Sequence, residues 1–348
     1  MNTSEAEKEW LRRICGGQPV TEQKKAPVKE AEHRPVVEKE TKGNGFGDIA
    51  GMNELKEFVI EGFINVLRNR RCAEIYGIKP PSMLFYGPAG CGKTFFAEKM
   101  AEEIGINFMK IVPDDLACTW VHGTQQKIGE VFKAAEKKAP TLLFFDEFDA
   151  MVPRRSNEDV NQHYNSEVNE FLCMLNNASE RGVYVIAATN HPERIDKAVL
   201  RTGRIDEMVY IDMPDMEARK SLFSLALSRL PSEEGIDINR LAELTEGYNC
   251  SDISYIVRSA ARKMFNATVK GNQRYHENYQ TCLKGRGAME EDEITEEDCQ
   301  PISQGLLEAV ISMKRPSVSG KDLREYQRVR SEFSPKDEGC HYATIGFM

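Results

Sequence analysis

The stretch Gly87-Pro88-Ala89-Gly90-Cys91-Gly92-Lys93-Thr94 decides the fold of this chain, because it has the Gly-x4-Gly-Lys-Thr pattern of a phosphate-binding loop. Gly87 and Gly92 let the backbone turn tightly, so that its N–H groups point toward phosphate oxygens. We expect Lys93 to reach the β- and γ-phosphates and the Thr94 hydroxyl to hold magnesium. The prediction is therefore an ATP site with Mg2+ as cofactor, completed by Pro88, Ala89, Gly90, Cys91 and Phe95.

Short apolar runs and helical patterns alternate around this loop. Residues 82–86, 141–145 and 183–189 are largely apolar and are followed by Gly-Pro, Asp-Glu or Asn, which is typical of buried strands. Helical periodicity covers residues 94–104, 126–138 and 166–175. This alternation predicts an α/β fold, a P-loop parallel sheet with helices on both faces, followed by a small α-helical domain.

Composition divides the chain into four parts. Residues 1–44 are rich in Glu and Lys and are predicted to be a disordered tail or tether, in which Trp10-Leu11-Arg12-Arg13-Ile14 is either a docking motif or a short helix without a role. We place a large nucleotide-binding domain at 45–213 and a small helical lid domain at 214–318, with a mobile insert near 271–292. Residues 319–348 are predicted to be a C-terminal tail.

The overall composition argues against several classes of protein. The 348 residues carry a net charge of -9, so nucleic acid is not expected as a partner, although a local basic rim around a pore is compatible with this charge. Nine cysteines without a Cys-x-x-Cys pair argue against zinc and against a disulfide framework. No apolar run approaches the roughly 20 residues of a membrane span, and residues 1–10 lack the pattern of a secretory signal. We expect a cytoplasmic protein without a transmembrane segment.

Polar residues follow two of the predicted strands. Asp146, after residues 141–145, is a candidate magnesium ligand near the phosphates, and Glu147 is a candidate base that orients and deprotonates the attacking water. Asn190, after residues 183–189, is placed to bond this water and the γ-phosphate; taken alone, it would be an Asn that starts a turn. Asp149 belongs either to the same cluster or to a turn.

With these motifs, the chain resembles the AAA family of ATPases over roughly residues 46–317. Ala188-Thr189-Asn190 is similar to the sensor-1 strand of that family, and residues 195–206 are similar to its second region of homology. The two arginines of that region match Arg201 and Arg204. The resemblance implies that they enter the ATP site of a neighbouring subunit in a ring, usually a homo-hexamer; the alternative is two surface arginines beside a turn.

The resemblance extends in part to the adenine side of the site. Asp48-Ile49-Ala50-Gly51 is similar to the segment that cups the base in the family, and Ala50 departs from the usual Gly. Residues 247–252 resemble the Gly-x-x-Gly-Ala-Asp segment of the lid, with Cys250 and Ser251 in place of Gly and Ala. These departures imply a different packing against the nucleotide.

A pore loop is the third feature that the resemblance implies. Trp120-Val121-His122 lies where the family carries an aromatic and an aliphatic residue followed by Gly, and the aromatic is expected to grip a protein substrate. The alternative is that Trp120 is a buried anchor. Arg154 and Arg155 belong either to a second pore loop or to an ordinary loop.

The end of the small domain is similar to the katanin and spastin group and to valosin-containing-type unfoldases. The resemblance implies an ATPase that unfolds, translocates or disassembles a protein substrate, with or without an adaptor. The alternative is a nucleotide-switched assembly factor or chaperone that threads nothing. Cys91 is either a redox-sensitive thiol beside the phosphates or a small residue that fits the loop.

Overall fold

The predicted sheet is present and has six strands among the described residues. The computed structural model describes residues 37–39, 43–116, 123–154, 162–201, 203–271, 295 and 298–333. The strands are β1 (Val37–Lys39), β2 (Met83–Tyr86), β3 (Asn107–Ile111), β4 (Thr141–Phe145), β5 (Val183–Thr189) and β6 (Glu207–Tyr210). Their order across the sheet is β1-β3-β4-β5-β2-β6. All neighbours are parallel except β1, which pairs antiparallel with β3.

Helices flank this sheet and continue beyond it. Those up to β6 are α1 (Asn53–Val59), α2 (Asn65–Arg68), α3 (Arg70–Tyr76), α4 (Lys93–Ile104), α5 (Pro113–Leu116), α6 (Gly123–Lys137), α7 (Phe148–Met151) and α8 (Gln162–Leu175), and a π-helical turn (Ile60–Ile64) joins α1 to α2. Those after β6 are α9 (Met216–Leu227), α10 (Ile238–Leu244), α11 (Cys250–Gly271), α12 (Gln304–Met313) and α13 (Gly320–Phe333). The predicted α/β fold with a helical region after it is confirmed.

The central strands are buried on both faces. In β4, Leu142 and Phe144 point into the cluster that contains α4, whereas Leu143 and Phe145 point into the cluster that contains α6 and α8. This alternation follows from the two-residue period of a strand. Because both faces are covered, the strand is apolar at four successive positions rather than at every second one.

Parallel strands bring the candidate residues to one edge of the sheet. The phosphate loop follows β2, Asp146 follows β4 and Asn190 follows β5, and these three strands are successive in the order β4-β5-β2. Ligands of open α/β sheets bind in the crevice outside the carboxyl ends of the strands. The fold therefore gathers these residues on one edge, which we call the carboxyl edge.

Part of the predicted C-terminal tail is a packed helix. In α13, Val329 is buried, and the Phe333 ring lies 6.1 Å from the Tyr86 ring at the end of β2. Arg330 forms a 3.2 Å ion pair with Asp212, and its guanidinium carbon lies 4.9 Å from the centre of the Tyr210 ring. The helix therefore covers the carboxyl edge at β2 and β6. The predicted insert near 271–292 lies, beyond Gly271, outside the described residues.

Candidate functional site

The phosphate loop has a backbone that requires glycine. Gly87, Gly90 and Gly92 have φ angles of 140°, 76° and 90°, in the region that other residues rarely adopt. A Cβ atom on Gly87 would lie 2.2 Å from the backbone oxygen of Ile211, and one on Gly90 would lie 2.5 Å from the Asn249 amide nitrogen. The loop thus packs closely against Ile211 and Asn249, and α4 begins within its last residues, at Lys93.

We expect Gly87→Ala to lower the free energy of unfolding by about 1–3 kcal/mol. The added methyl group strains the backbone and would collide with the carbonyl oxygen of Ile211, which cannot move without its main chain. Urea denaturation measures this change. Gly129→Ala in α6 is the control, because the nearest atom to its Cβ would be 3.9 Å away and alanine favours a helix. Equal stability of the two variants would contradict this description of the loop.

Lys93 is folded back into the loop. Its ammonium donates to the carbonyl oxygens of Gly87 and Pro88 at 2.9 Å and 2.8 Å, and the residue is only 8% exposed. Burial lowers the pKa of Lys93 to about 8. A buried ammonium held by neutral carbonyls is a poor arrangement for a charge, and phosphate oxygens would provide the missing negative partner.

Thr94 and Asp146 lie together as the sequence predicts. The Thr94 hydroxyl donates to Oδ2 of Asp146 at 3.0 Å. Oδ1 of the same carboxylate accepts the backbone N–H of Glu147 at 3.1 Å. A hydroxyl and a carboxylate beside a phosphate loop are the oxygen ligands that Mg2+ prefers in proteins. The pair therefore fits the predicted metal.

A third group on Asp146 is not apparent from the sequence pattern. The Lys110 ammonium lies 2.7 Å from Oδ2 of Asp146, the oxygen that Thr94 also contacts. Lys110 lies on β3, where it aligns with Phe144, two residues before Asp146. Because a single lysine in a strand belongs to no sequence motif, only the fold shows that this one reaches the carboxyl edge.

Glu147 and Asn190 have free polar atoms at this edge. Glu147 is exposed, has a left-handed backbone with a φ angle of 51°, and its carboxylate has no hydrogen bond or ion pair with the described residues. Oδ1 of Asn190 is buried and has no hydrogen-bond partner among the described residues. An unpartnered buried carbonyl is costly. A water molecule in the crevice would satisfy it by donating a hydrogen bond.

Asp149 has a clear partner. Its Oδ1 accepts the Thr189 hydroxyl at 2.5 Å, and the same hydroxyl accepts the backbone N–H of His191 at 2.8 Å. The carboxylate thus ties α7 to the end of β5. Of the two interpretations of Asp149, this contact favours membership of the polar cluster, because Thr189 directly precedes Asn190.

The lid segment touches the phosphate loop directly. Asn249, which is 3% exposed, donates from its amide to the carbonyl oxygen of Ala89 at 3.0 Å, and the backbone N–H of Ser251 donates to the carbonyl oxygen of Gly90 at 3.0 Å. The Cys250 sulfur lies 3.7 Å from the carbonyl oxygen of Cys91. The predicted pair Cys250 and Ser251 is therefore at the loop, and Asn249 is an additional contact that the sequence pattern does not single out.

On the predicted adenine side, Asp48 and Ala50 have different surroundings. Asp48 forms ion pairs with Lys99 at 2.7 Å and Arg229 at 2.6 Å, which lower its pKa to about 2. Ala50 instead lines a cavity of about 20 Å3 with Cys250, which has room for about one water molecule. Ala50 and Cys250, both predicted to lie near the base, thus line the same cavity.

Cys91 and Phe95 have opposite environments. Cys91 is fully buried with its sulfur 3.6 Å from the Met213 sulfur, and burial raises the pKa of its thiol to about 12. A thiol that stays protonated is a poor nucleophile, so the packing interpretation of Cys91 is favoured over the redox one. Phe95 is 46% exposed, and the Lys99 ammonium lies 5.6 Å from its ring centre.

Arg201 and Arg204 lie near the opposite edge of the sheet. Asp206 accepts the backbone N–H of Ser82, the residue before β2, at 3.0 Å and that of Gly203 at 2.8 Å. Arg201 is exposed, and its side chain has no hydrogen bond or ion pair with the described residues. Arg204 donates to the carbonyl oxygen of Ala198 at 2.6 Å. The fold thus does not bring these arginines to the phosphate loop of their own chain.

Trp120, Val121, His122 and Arg155 lie outside the described residues. Within the part of the chain that is described, no cluster of His, Cys, Asp and Glu could hold a metal ion in the manner of a zinc site. No helix in the described ranges is long and apolar enough to cross a membrane.

Comparison with known proteins agrees with this geometry. Residues 83–213 match the family described as "ATPase family associated with various cellular activities (AAA)". A "Putative cell division cycle ATPase" of Plasmodium falciparum is 29% identical over 296 residues, which are 84% of this chain and 24% of that protein. A "Cell division cycle protein 48 homolog" of Archaeoglobus fulgidus is 31% identical over 288 residues, 82% of this chain and 37% of that protein. The matched part of the chain therefore spans only 24% and 37% of the length of these two relatives.

Proposed function

This chain is an AAA-family ATPase through residues 83–213, and from that premise we propose that it works as a ring whose ATP sites are shared between neighbouring copies. The observation that supports this proposal is the separation of Arg201 and Arg204 from the phosphate loop of their own chain. Strand β2 separates the arginines from the loop. Asp206, close to both arginines in the chain, accepts a hydrogen bond from Ser82 before β2, whereas the phosphate loop follows β2. A strand of this length spans on the order of 13 Å.

Within one chain, the carboxyl edge supplies the binding half of the site. The loop amides and Lys93 bind and orient the phosphates, while Thr94 and Asp146 would hold Mg2+, which neutralises phosphate charge when bound. Glu147 has a free, exposed carboxylate that can take the proton of a water, and the buried Oδ1 of Asn190 can accept a hydrogen bond from that water.

A neighbouring copy supplies the other half. The exposed Arg201 would place its guanidinium on the transferring phosphoryl group of the next subunit, where charge develops during the reaction. Arg204 would join it after releasing the carbonyl oxygen of Ala198. We propose that this head-to-tail interface closes into a homo-hexameric ring, in which each copy has a large domain near residues 45–213 and a small domain near residues 214–318.

The lid contacts suggest how hydrolysis becomes motion. Asn249 and Ser251 donate hydrogen bonds to the carbonyl oxygens of Ala89 and Gly90 in the loop. Because these bonds join the lid to the loop that would hold the phosphates, nucleotide binding and release would move the lid against the large domain. We propose that this motion carries Trp120, Val121 and His122 along a protein substrate, which is thereby unfolded, translocated or removed from a complex. The proposed location is the cytoplasm, and an adaptor would bring the substrate where one is needed.

We expect Trp120→Ala to abolish ATP-dependent unfolding of a protein substrate while basal ATPase activity stays within about twofold of wild type, because in the proposed mechanism Trp120 acts on substrate and not on nucleotide. Unfolding of a tagged fluorescent protein and phosphate release measure the two activities. Trp120→Tyr is the control that keeps an aromatic ring. Undiminished remodelling by Trp120→Ala would instead favour a nucleotide-switched assembly factor or chaperone.

A further inference from the structure

Lys110 occupies an unusual place for a strand lysine. Its ammonium is 2.7 Å from Oδ2 of Asp146, the oxygen that also accepts the Thr94 hydroxyl at 3.0 Å. The Lys110 and Asp146 side chains are 31% and 22% exposed, so that water screens the ion pair only in part. The singly charged ammonium of Lys110 thus lies beside Thr94 and Asp146, the two residues that would hold the divalent Mg2+.

The sheet explains how this lysine reaches the site. Side chains two apart on β3 share a face, so Lys110 projects on the same side as Phe108, which packs in the cluster of α4. α4 begins at the phosphate loop and carries Thr94. Lys110 aligns with Phe144 of β4, and its long side chain brings the ammonium to Asp146, two residues further along at the carboxyl edge.

The contribution of this ion pair to folding stability is expected to be small. Partly exposed lysine–carboxylate pairs typically contribute little to folding, because the side chains lose freedom and water screens the charges. Position on the carboxyl edge gives the pair a different consequence. A positive charge fixed beside the phosphates attracts them without any metal, and the same charge repels a divalent ion that approaches Asp146.

We propose that Lys110 is a positioning residue that makes nucleotide binding by this site less dependent on Mg2+. It holds Asp146 in place and supplies one positive charge to the phosphate crevice when no divalent ion is present. When Mg2+ binds with the nucleotide, Lys110 yields Asp146 to the metal and weakens its binding. This inference rests on the proposed assignment of Thr94 and Asp146 to the metal.

The test compares the dissociation constant of a fluorescent ADP analogue in excess EDTA with that in excess MgCl2, for the full chain. The dissociation constant in EDTA divided by that in MgCl2 is expected to rise about tenfold in Lys110→Met, because the analogue binds more weakly in EDTA and more tightly in Mg2+. Lys110→Arg, which keeps the charge, should restore a ratio near wild type. Lys79→Met is the matched control, since Lys79 forms a 2.6 Å ion pair with Glu180 before β2, away from the carboxyl edge.

A purely structural role for Lys110 would change both dissociation constants by the same factor and leave their ratio unchanged. An unchanged ratio in folded Lys110→Met would overturn the inference, as would an equal change in Lys79→Met. Lys110→Gln provides a second neutral variant if Lys110→Met does not fold. Failure of the wild-type chain to bind the analogue under either condition would contradict the nucleotide site itself, which separates that outcome from a failure of the inference.

Discussion

Replacing Glu147 by Gln is expected to lower kcat for ATP hydrolysis by about 10²–10⁴, because the amide cannot take a proton from the attacking water. ATP binding should be retained, since the carboxylate of Glu147 is exposed and has no hydrogen bond or ion pair with the described residues. The change conserves size and shape, so the left-handed backbone at this position need not move.

Phosphate release at saturating ATP measures the loss of kcat, and a fluorescent ATP analogue measures binding. Glu130→Gln is the matched control, because Glu130 is exposed on α6 and lies outside the proposed site. If Glu147→Gln retained more than about a tenth of wild-type turnover, another group would have to act as the base.

Arg201→Ala is expected to have the largest effect on turnover, a loss of about 10³–10⁵ in kcat, because it removes a positive charge from the transferring phosphoryl group. Stability should change by less than about 0.5 kcal/mol, because Arg201 is exposed and its side chain has no partner among the described residues. The combination of a large kinetic effect and a negligible folding effect distinguishes a catalytic arginine from a structural one.

Turnover and urea denaturation of Arg201→Ala are compared with those of Arg240→Ala. Arg240 is another exposed arginine, on α10, where it forms a 3.5 Å ion pair with Glu243. Arg240→Ala should leave turnover within about twofold. Normal turnover in Arg201→Ala would remove Arg201 from the site and with it the main reason to propose a shared one.

The elements that the sequence predicts well are those whose burial is uniform. β4 and β5 coincide with the predicted runs at 141–145 and 183–189, because a strand buried on both faces is apolar throughout. β3 contains the charged Lys110 and β6 begins at the charged Glu207, and both are strands because neighbouring strands pair with them. Local pattern alone does not reveal such pairing.

The same distinction applies to the candidate site. Residues within one motif, such as Lys93 and Thr94, could be predicted because backbone geometry fixes their spacing. Asn249 and Lys110 lie at the site only because the lid and β3 fold against it, and neither has a local signature. Helix α13 escaped prediction for a related reason, since Val329 is its only fully buried residue and its other side chains are largely polar.

The central claim is that each ATP site is shared by two copies, and mixing two inactive variants tests it most directly. Glu147→Gln lacks the base but has Arg201, whereas Arg201→Ala has the base but lacks the arginine. In a mixed ring, a complete site forms where an Arg201→Ala subunit, which keeps Glu147, meets the arginine of a neighbouring Glu147→Gln subunit. With equal amounts of the two variants, this arrangement occurs at about one interface in four. The account predicts ATPase activity in the mixture well above the sum of the two variants; activity equal to that sum at every mixing ratio, in rings shown to exchange subunits, would contradict it.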